Sequence, residues 1–313
     1  MTAPTAEPIW APPPDRIARS NLVAFIEYVR VQHRDAARDV RDVTSLYRWS
    51  VTHREAFWPA VWRFCGVVAA EHAGPTETDP WDAVGIGLDR MAPPDPKRGP
   101  RWFPGARLNF AENLLRHRDA RPALIARDEA GRRRALSHAE LATEVARVAA
   151  ALSAHGIRSG DRVAGFMPNV PETVVAMLAS ASLGATWSSC SPDFGARGVV
   201  DRFGQIAPRV LVAADGYRYA GKEIDVLERT AAVAAAIPAI ERVVVVPHLR
   251  DAPDIAQITG AVLWSDWLAA APPRELAFER LSFDHPLYIL YSSGTTGLPK
   301  CMVHGAGGTL LQH

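Results

Sequence analysis

The run Tyr291-Ser292-Ser293-Gly294-Thr295-Thr296-Gly297-Leu298-Pro299-Lys300 leaves an apolar stretch and enters a loop of small, hydroxylated residues that ends on a lysine. Residues of these types in this order suit the holding of phosphates. Glycines let backbone N–H groups approach an anion closely, hydroxyls donate further hydrogen bonds, and a lysine offsets the charge of a polyphosphate. The run is not a Walker A loop, which needs Gly-Lys-Ser/Thr after four intervening residues. Here Pro299 precedes Lys300 and Cys301 follows it. Gly-Thr-Thr-Gly alone also suits a flexible turn, so the argument for phosphate rests on the whole run.

Other residues with chemical potential are less telling. Cys65, Cys190 and Cys301 lie far apart, with no CxxC or Cys/His ligand spacing, so neither a disulfide framework nor a zinc site is expected. Cys301 beside the phosphate run reads as a tolerated small residue rather than a reactive thiol. His304 either approaches a substrate or caps the next helix. No histidine pairs convincingly with a serine or cysteine nucleophile. Trp187, at a strand end, reads as core before it reads as a pocket wall. Arg132 to Arg134 read as the solvated returning limb of a hairpin.

The elements that position the run follow from periodicity. Apolar spacing predicts a helix over Ser20 to His33, capped by Ser20 or Asn21. Tyr47, Trp49, Phe57, Trp58 and Trp62 then give an aromatic density typical of a small packed unit. Five prolines between Asp79 and Arg101 predict an extended connection. Beyond it, strands alternate with helices, the pattern of a mostly parallel sheet covered on both faces. Ala123 to Arg127 and Arg134 to Leu136 form an expected antiparallel hairpin. Ser137-His138-Ala139-Glu140 is an expected capping box for a helix that stops at Gly156. Strands are expected at Arg162–Met167, Ala185–Ser189, Val210–Ala214, Arg242–Val246 and Pro286–Tyr291. Helices are expected at Glu172–Leu183, Arg197–Ile206 and Ile224–Ala236, with one more starting near Gly308.

Taken whole, Tyr291 to Lys300 resembles the nucleotide-phosphate signature of the adenylate-forming superfamily, which includes acyl-CoA synthetases, luciferases and peptide-synthetase adenylation domains. The resemblance implies that Ser292, Ser293, Gly294, Thr295, Thr296, Gly297 and Lys300 hold the β- and γ-phosphates of ATP. Three further segments, Trp102 to Asn113, Gly184 to Gly195 and Val303 to Gly308, are similar to those of the acetoacetyl-CoA synthetases. The likeness runs from about Phe25 to the last residue. The aromatic region before Pro80 resembles the N-terminal segment of acetyl- and acetoacetyl-CoA synthetases.

The resemblance implies an α/β fold, the N-terminal domain of an adenylate-forming enzyme. Mixed and parallel sheets would be layered with helices, after a small helical, aromatic N-terminal segment. It places a flexible Pro-rich arm at 1–19, the synthetase-type N-terminal segment at 20–100 and a partial AMP-binding domain at 101–313, with the C-terminal domain absent. The implied reaction is AMP-forming activation of acetoacetate through an acyl adenylate and its transfer to coenzyme A, with ATP and Mg²⁺. Gly216-Tyr217-Arg218-Tyr219-Ala220-Gly221-Lys222 is similar in position to a basic segment that approaches coenzyme A phosphates, which makes Arg218 and Lys222 the candidates for that contact.

In the family, the adenine-binding segment, the Mg²⁺ carboxylate, the ribose aspartate, the acid pocket and a mobile lysine all lie beyond the phosphate run. None is found before His313, so the chain is expected to carry no catalytic or metal-binding residue of its own and to be nearly inactive alone. An acetyl- or propionyl-CoA synthetase fragment and a non-catalytic nucleotide-binding remnant stay open as alternatives. A hydrolase built on Ser292-Ser293-Gly294 would need a serine–lysine pair with a second glycine-rich serine segment, and none is evident.

Composition excludes other classes. The 313 residues are 48% hydrophobic and 22% charged, as in an ordinary globular protein. A formal charge of +1, from 35 basic and 34 acidic residues, provides no net field to recruit nucleic acid or an anionic membrane. Met1 to Arg19 lacks the basic start and apolar core of a signal peptide, and longer apolar stretches such as Thr230 to Val246 are broken by Pro238, Glu241 and Arg242. A cytoplasmic protein is therefore expected; it is the resemblance that implies a small carboxylic acid, ATP and coenzyme A as its partners. Nothing in the sequence sets its oligomeric state.

Overall fold

The computed structural model describes residues 9–72, 74–76, 78–90, 99–292 and 297–313. Residues up to Val67 form one compact unit and residues from Val68 onward another.

The first unit is helical: α1 (Pro14–Ala18), α2 (Asn21–Gln32), α3 (Val43–Thr52) and α4 (Arg54–Cys65). Ser20 caps α2 by accepting from the Val23 amide at 3.3 Å. Asp42 and Ser45 form a capping box on α3, and Gly66, at φ 61°, closes α4 in the left-handed region that glycine tolerates. Phe25, Ile26 and Val29 of α2 pack with Leu46, Trp49 and Ala60. The Phe25 and Phe64 rings stand 5.1 Å apart. Of the expected aromatics, Trp49 and Phe57 belong to this core and Trp62 is buried, whereas Tyr47 is exposed.

The second unit opens with short pieces: β1 (Gly85–Ile86) paired antiparallel to β2 (Arg101–Trp102), then β3 (Arg107–Leu108) and helix α5 (Phe110–Leu114). The hairpin β4 (Pro122–Arg127) and β5 (Arg133–Ser137) follows, antiparallel as expected. Ser137 and Glu140 close the capping box of α6 (His138–Ala154), with Ser137 Oγ accepting from the Glu140 amide at 3.2 Å and Glu140 Oε2 from the Ser137 amide at 2.7 Å.

The chain then alternates β6 (Arg162–Phe166), α7 (Pro171–Ser182), β7 (Thr186–Cys190), α8 (Ala196–Phe203) and β8 (Val210–Ala214). A second hairpin, β9 (Gly216–Tyr219) and β10 (Lys222–Asp225), leads to α9 (Leu227–Ala236). This corrects the helix expected from Ile224. Residues 222–225 pair back onto β9, so the helix starts only at Leu227. After β11 (Arg242–Val246) come β12 (Ala261–Leu263), α10 (Trp264–Ala270), β13 (Leu281–Ser282), β14 (Pro286–Ser292), β15 (Lys300–Gly305) and α11 (Ala306–Gln312).

Among the described residues, seven strands form one sheet in the order β12-β11-β8-β6-β7-β14-β15. Every neighbouring pair is parallel except β14 and β15. Strand periodicity divides the core. Ala164, Phe166, Leu211, Ala213, Val243 and Val245 pack with α8 and α9 in one cluster. The residues between them, such as Val163, Val212 and Val244, are equally buried on the other face, where α6 and α7 pack together. Strands buried on both faces read as continuous apolar runs, which is why Val210–Ala214 and Arg242–Val246 were legible.

Helix α11 begins at Ala306 rather than Gly308. Its amides are tied down at once, since Ala306 donates to the His285 carbonyl at 2.8 Å and Gly307 to the Phe283 carbonyl at 2.7 Å. A Cβ on Gly307 would stand 2.2 Å from the Phe283 ring, so glycine is required there by close approach.

Candidate functional site

Tyr291 and Ser292 end β14, and Lys300 starts β15, so the phosphate run is the connection of an antiparallel hairpin in the central sheet. Tyr291 pairs with Cys301 and Ser292 with Lys300. Ser293, Gly294, Thr295 and Thr296 lie outside the described residues. Gly297 sits at φ 105°, a conformation that glycine alone adopts without strain. The far foot of the connection is tied to α8 and its C-terminal turn, where Gln205 Nε2 donates to the Pro299 carbonyl at 2.9 Å and to the Asp201 carbonyl at 2.7 Å.

The near foot is held by packing. Tyr291 stands beside Phe203, ring centroids 6.5 Å apart, and the Arg202 guanidinium lies 4.4 Å from the Phe194 ring and 5.9 Å from that of Tyr291. Ser188 Oγ donates to the Ile289 carbonyl at 2.9 Å and lies 3.0 Å from the Tyr291 hydroxyl. Burial pushes the Tyr291 phenol above its ordinary range, so this hydroxyl stays protonated and anchors the strand rather than acting as a base. Burial likewise pushes the Cys190 thiol up to about 12.

Trp187 is core: it pairs in register with Val163 and Tyr288, and a Cβ on Gly165 would stand 2.5 Å from its ring. His304 makes no side-chain cap on α11 and instead sets its ring 5.2 Å from Tyr288. Cys301 is exposed on β15. Of the basic run, Arg132 holds Asp128 at 2.6 Å and Arg134 pairs with Glu172.

Arg218 and Lys222 lie on the two limbs of the second hairpin. Arg218 faces Glu223 in register and pairs with it, while Lys222 is exposed opposite Tyr219. This hairpin follows the carboxyl end of β8, and the phosphate run follows the carboxyl end of β14. Because β8, β6, β7 and β14 are parallel neighbours in that order, the two candidates share one edge of the sheet. They are separated by three strand spacings, roughly 14 Å. Open α/β sheets bind ligands along that edge.

The segment Trp102 to Asn113 proves architectural. Fully buried Asn109 caps α5 by accepting from Ala111 at 2.9 Å and donates Nδ2 to the carbonyls of Ala181, Ser182 and Glu279 at 3.0–3.2 Å. Asn113 exchanges two bonds with the Val68 backbone at 2.7 and 2.9 Å. Two carboxylates escaped the sequence reading. Asp215, fully buried after β8, accepts from the amides of His248, Leu249 and Arg250 at 2.7–2.9 Å. Glu129 accepts from Ala220 and Gly221 at 3.2 and 3.1 Å, joining the two hairpins. An aspartate placed directly after an apolar strand was the available signal for the first; the second had none.

The sequence profile of the AMP-binding enzyme family matches residues 110–312, which include the phosphate run. This chain belongs to the AMP-binding enzymes. An acetoacetyl-coenzyme A synthetase of Rhizobium meliloti (strain 1021) is 46% identical over 307 residues, which cover 98% of this chain and 44% of the relative. An acetoacetyl-CoA synthetase of Danio rerio is 42% identical over 289 residues, 90% of this chain and 41% of its own. The solved structure of an acetoacetyl-CoA synthetase from Streptomyces lividans superposes with a TM-score of 0.83 at 41% identity, over 98% of this chain and 44% of that one. The AMP-binding chain described here therefore has the α/β fold of the N-terminal part of that structure and spans less than half the length of these relatives. Among its described residues no helix is long and apolar enough to cross a membrane.

Proposed function

We propose that this chain is the phosphate-holding part of an AMP-forming acetoacetate–CoA ligase. One observation carries the reading. The run Tyr291–Lys300 leaves a parallel strand at the ligand-binding edge of the sheet, in a chain 46% identical over nearly its whole length to an acetoacetyl-coenzyme A synthetase.

In this reading an acetoacetate carboxylate oxygen attacks the α-phosphorus of ATP, the bond to the bridging oxygen breaks, and pyrophosphate leaves. The coenzyme A thiolate then attacks the acyl carbon and AMP leaves. Neither step needs a covalent enzyme intermediate, so this chain contributes by positioning and charge neutralisation. Ser292, Ser293, Gly294, Thr295, Thr296, Gly297 and Lys300 would hold the β- and γ-phosphates, steadied by Gln205 and Tyr291 at the two feet. Arg218 and Lys222 would face the phosphates of coenzyme A from the same edge. Mg²⁺ would neutralise the triphosphate. Among the described residues no group of three His, Cys, Asp or Glu can hold a metal ion, so none is assigned to it.

The test is pyrophosphate release from ATP with acetoacetate, acetate or propionate, using this chain alone and this chain joined to the remaining C-terminal part of the Rhizobium relative. Release by the joined chain with acetoacetate preferred supports the reading. Preference for acetate or propionate moves the assignment to a sister ligase. A joined chain that binds ATP without release with any acid overturns it.

A further inference from the structure

The end of α8 meets the phosphate run twice. Gln205 fastens the far foot through the Pro299 carbonyl, and Arg202 and Phe203 stand against Tyr291 at the near foot. The near foot depends on such contacts. The β7–β14 ladder pairs Tyr288 with Trp187 and Ile289 with Ser188 and goes no further, although β7 runs on to Cys190 and β14 to Ser292. Among the described residues, β14 is paired from Leu290 onward on the β15 side alone. On the β7 side, side chains take over, and the Ser188 hydroxyl meets both the Ile289 carbonyl and the Tyr291 hydroxyl.

Arg202 supplies the second hold. Its Nη1 donates to the Gly198 carbonyl at 2.7 Å, which fixes the guanidinium along α8. The group lies 4.4 Å from the Phe194 ring and 5.9 Å from the Tyr291 ring, and among the described residues no carboxylate pairs with it. A guanidinium charge that no carboxylate neutralises is available to the faces of the two rings. Gly198 makes room for this arrangement. A Cβ there would stand 3.3 Å from the Phe194 ring, which accounts for a glycine inside a helix, where it is otherwise disfavoured.

Phe194 is itself anchored. It lies in the turn between β7 and α8, and Arg229 of α9 donates Nη1 to the carbonyls of Pro192 and Phe194 at 3.0 and 3.4 Å. A chain of contacts therefore runs from α9 through Phe194 and Arg202 to Tyr291.

We infer that Arg202 is a positioning residue of the phosphate run, tying Tyr291 to the anchored turn after β7 so that the residues from Ser292 onward meet an anion in one geometry. A run whose near foot shifts presents its amides and hydroxyls in several arrangements. A polyphosphate must then select one of them, which weakens its binding. The inference deepens the proposed function and rests on it for the identity of the anion, the β- and γ-phosphates of ATP.

The test has two arms. In the 313-residue chain, Arg202→Met should speed amide hydrogen exchange over residues 290–292 and 297–301 about fivefold, with β8 and α9 unchanged. Arg202→Lys, which keeps a cation beside the rings, should restore most of the protection. Phe194→Leu should act as Arg202→Met does, and the double variant should exceed neither single one. Arg197→Gln, at an exposed position of α8, should change nothing. In the chain joined to the C-terminal part of the Rhizobium relative, Arg202→Met should raise KM for ATP about fivefold and leave kcat within about twofold, because the run holds ground state and transition state alike.

Additive effects in the double variant, equal effects of Arg202→Met and Arg202→Lys, or exchange that rises throughout β8 and α9 overturn the link. Local exchange with KM for ATP unchanged overturns the positioning role. A joined chain that releases no pyrophosphate with any acid sinks the proposed function, while a local, non-additive exchange response still supports the link through Arg202.

Discussion

Gln205 reaches across 94 positions of sequence to donate its side-chain amide to the Pro299 carbonyl at 2.9 Å, fastening the foot of the phosphate run to the end of α8. A hydrogen bond of this kind contributes about 1 kcal/mol. Gln205→Ala should therefore speed amide hydrogen exchange over residues 298–302 about fivefold while leaving β6 and β8 unchanged. Exchange that accelerates everywhere would show a global effect in place of a local tether.

Asn109 is fully buried and satisfies three carbonyls from two distant segments while capping α5. Asn109→Ala leaves those groups without partners, and the expected loss is about 3 kcal/mol. Urea unfolding should show a lower midpoint with an unchanged slope. Asn109→Asp should not rescue it, because a carboxylate cannot donate to carbonyls.

Gly307 has no room for a side chain beside Phe283. Gly307→Ala should cost about 1–3 kcal/mol by forcing the ring aside. Pairing it with Phe283→Leu should recover part of that loss, and a double-mutant cycle measures the coupling.

The thiols should separate by environment. Cys65 and Cys301 are exposed, and Cys190 is buried with its pKa pushed up to about 12. Iodoacetamide at pH 8 should label two thiols in the native chain and the third only in urea, as counted by mass spectrometry.

The same burial sets an alkaline limit. Between pH 9.0, where an unfolded thiol titrates, and about pH 12, the folded state keeps a proton that the unfolded state has lost. Stability contributed by neutral Cys190 is complete below pH 9 and declines as pH rises, by up to about 1.4 kcal/mol per unit. Cys190→Ala should flatten the fall in urea midpoint between pH 9 and 10 by about one proton's worth.

The strand and helix alternation was legible in the amino-acid order, because β6, β8 and β11 are buried on both faces and apolar throughout apart from a leading arginine in β6 and β11. The same order determined the capping box at Ser137, a purely local exchange of two hydrogen bonds, and it showed the phosphate run, whose chemistry lies in ten consecutive residues. Only the tertiary structure decided which strands are neighbours, and hence that the phosphate run and the Arg218 hairpin share one edge of the sheet. It also turned Ile224 and Asp225 from helix to strand, since their partners are β9 residues across a two-residue tip, and a four-residue strand carries too little periodicity to show pairing. Asn109, Asp215 and Glu129 act on backbone groups 33 to 170 positions away. Such contacts leave no mark on local spacing, because a side chain that satisfies a distant carbonyl or amide is specified by where the fold brings that group.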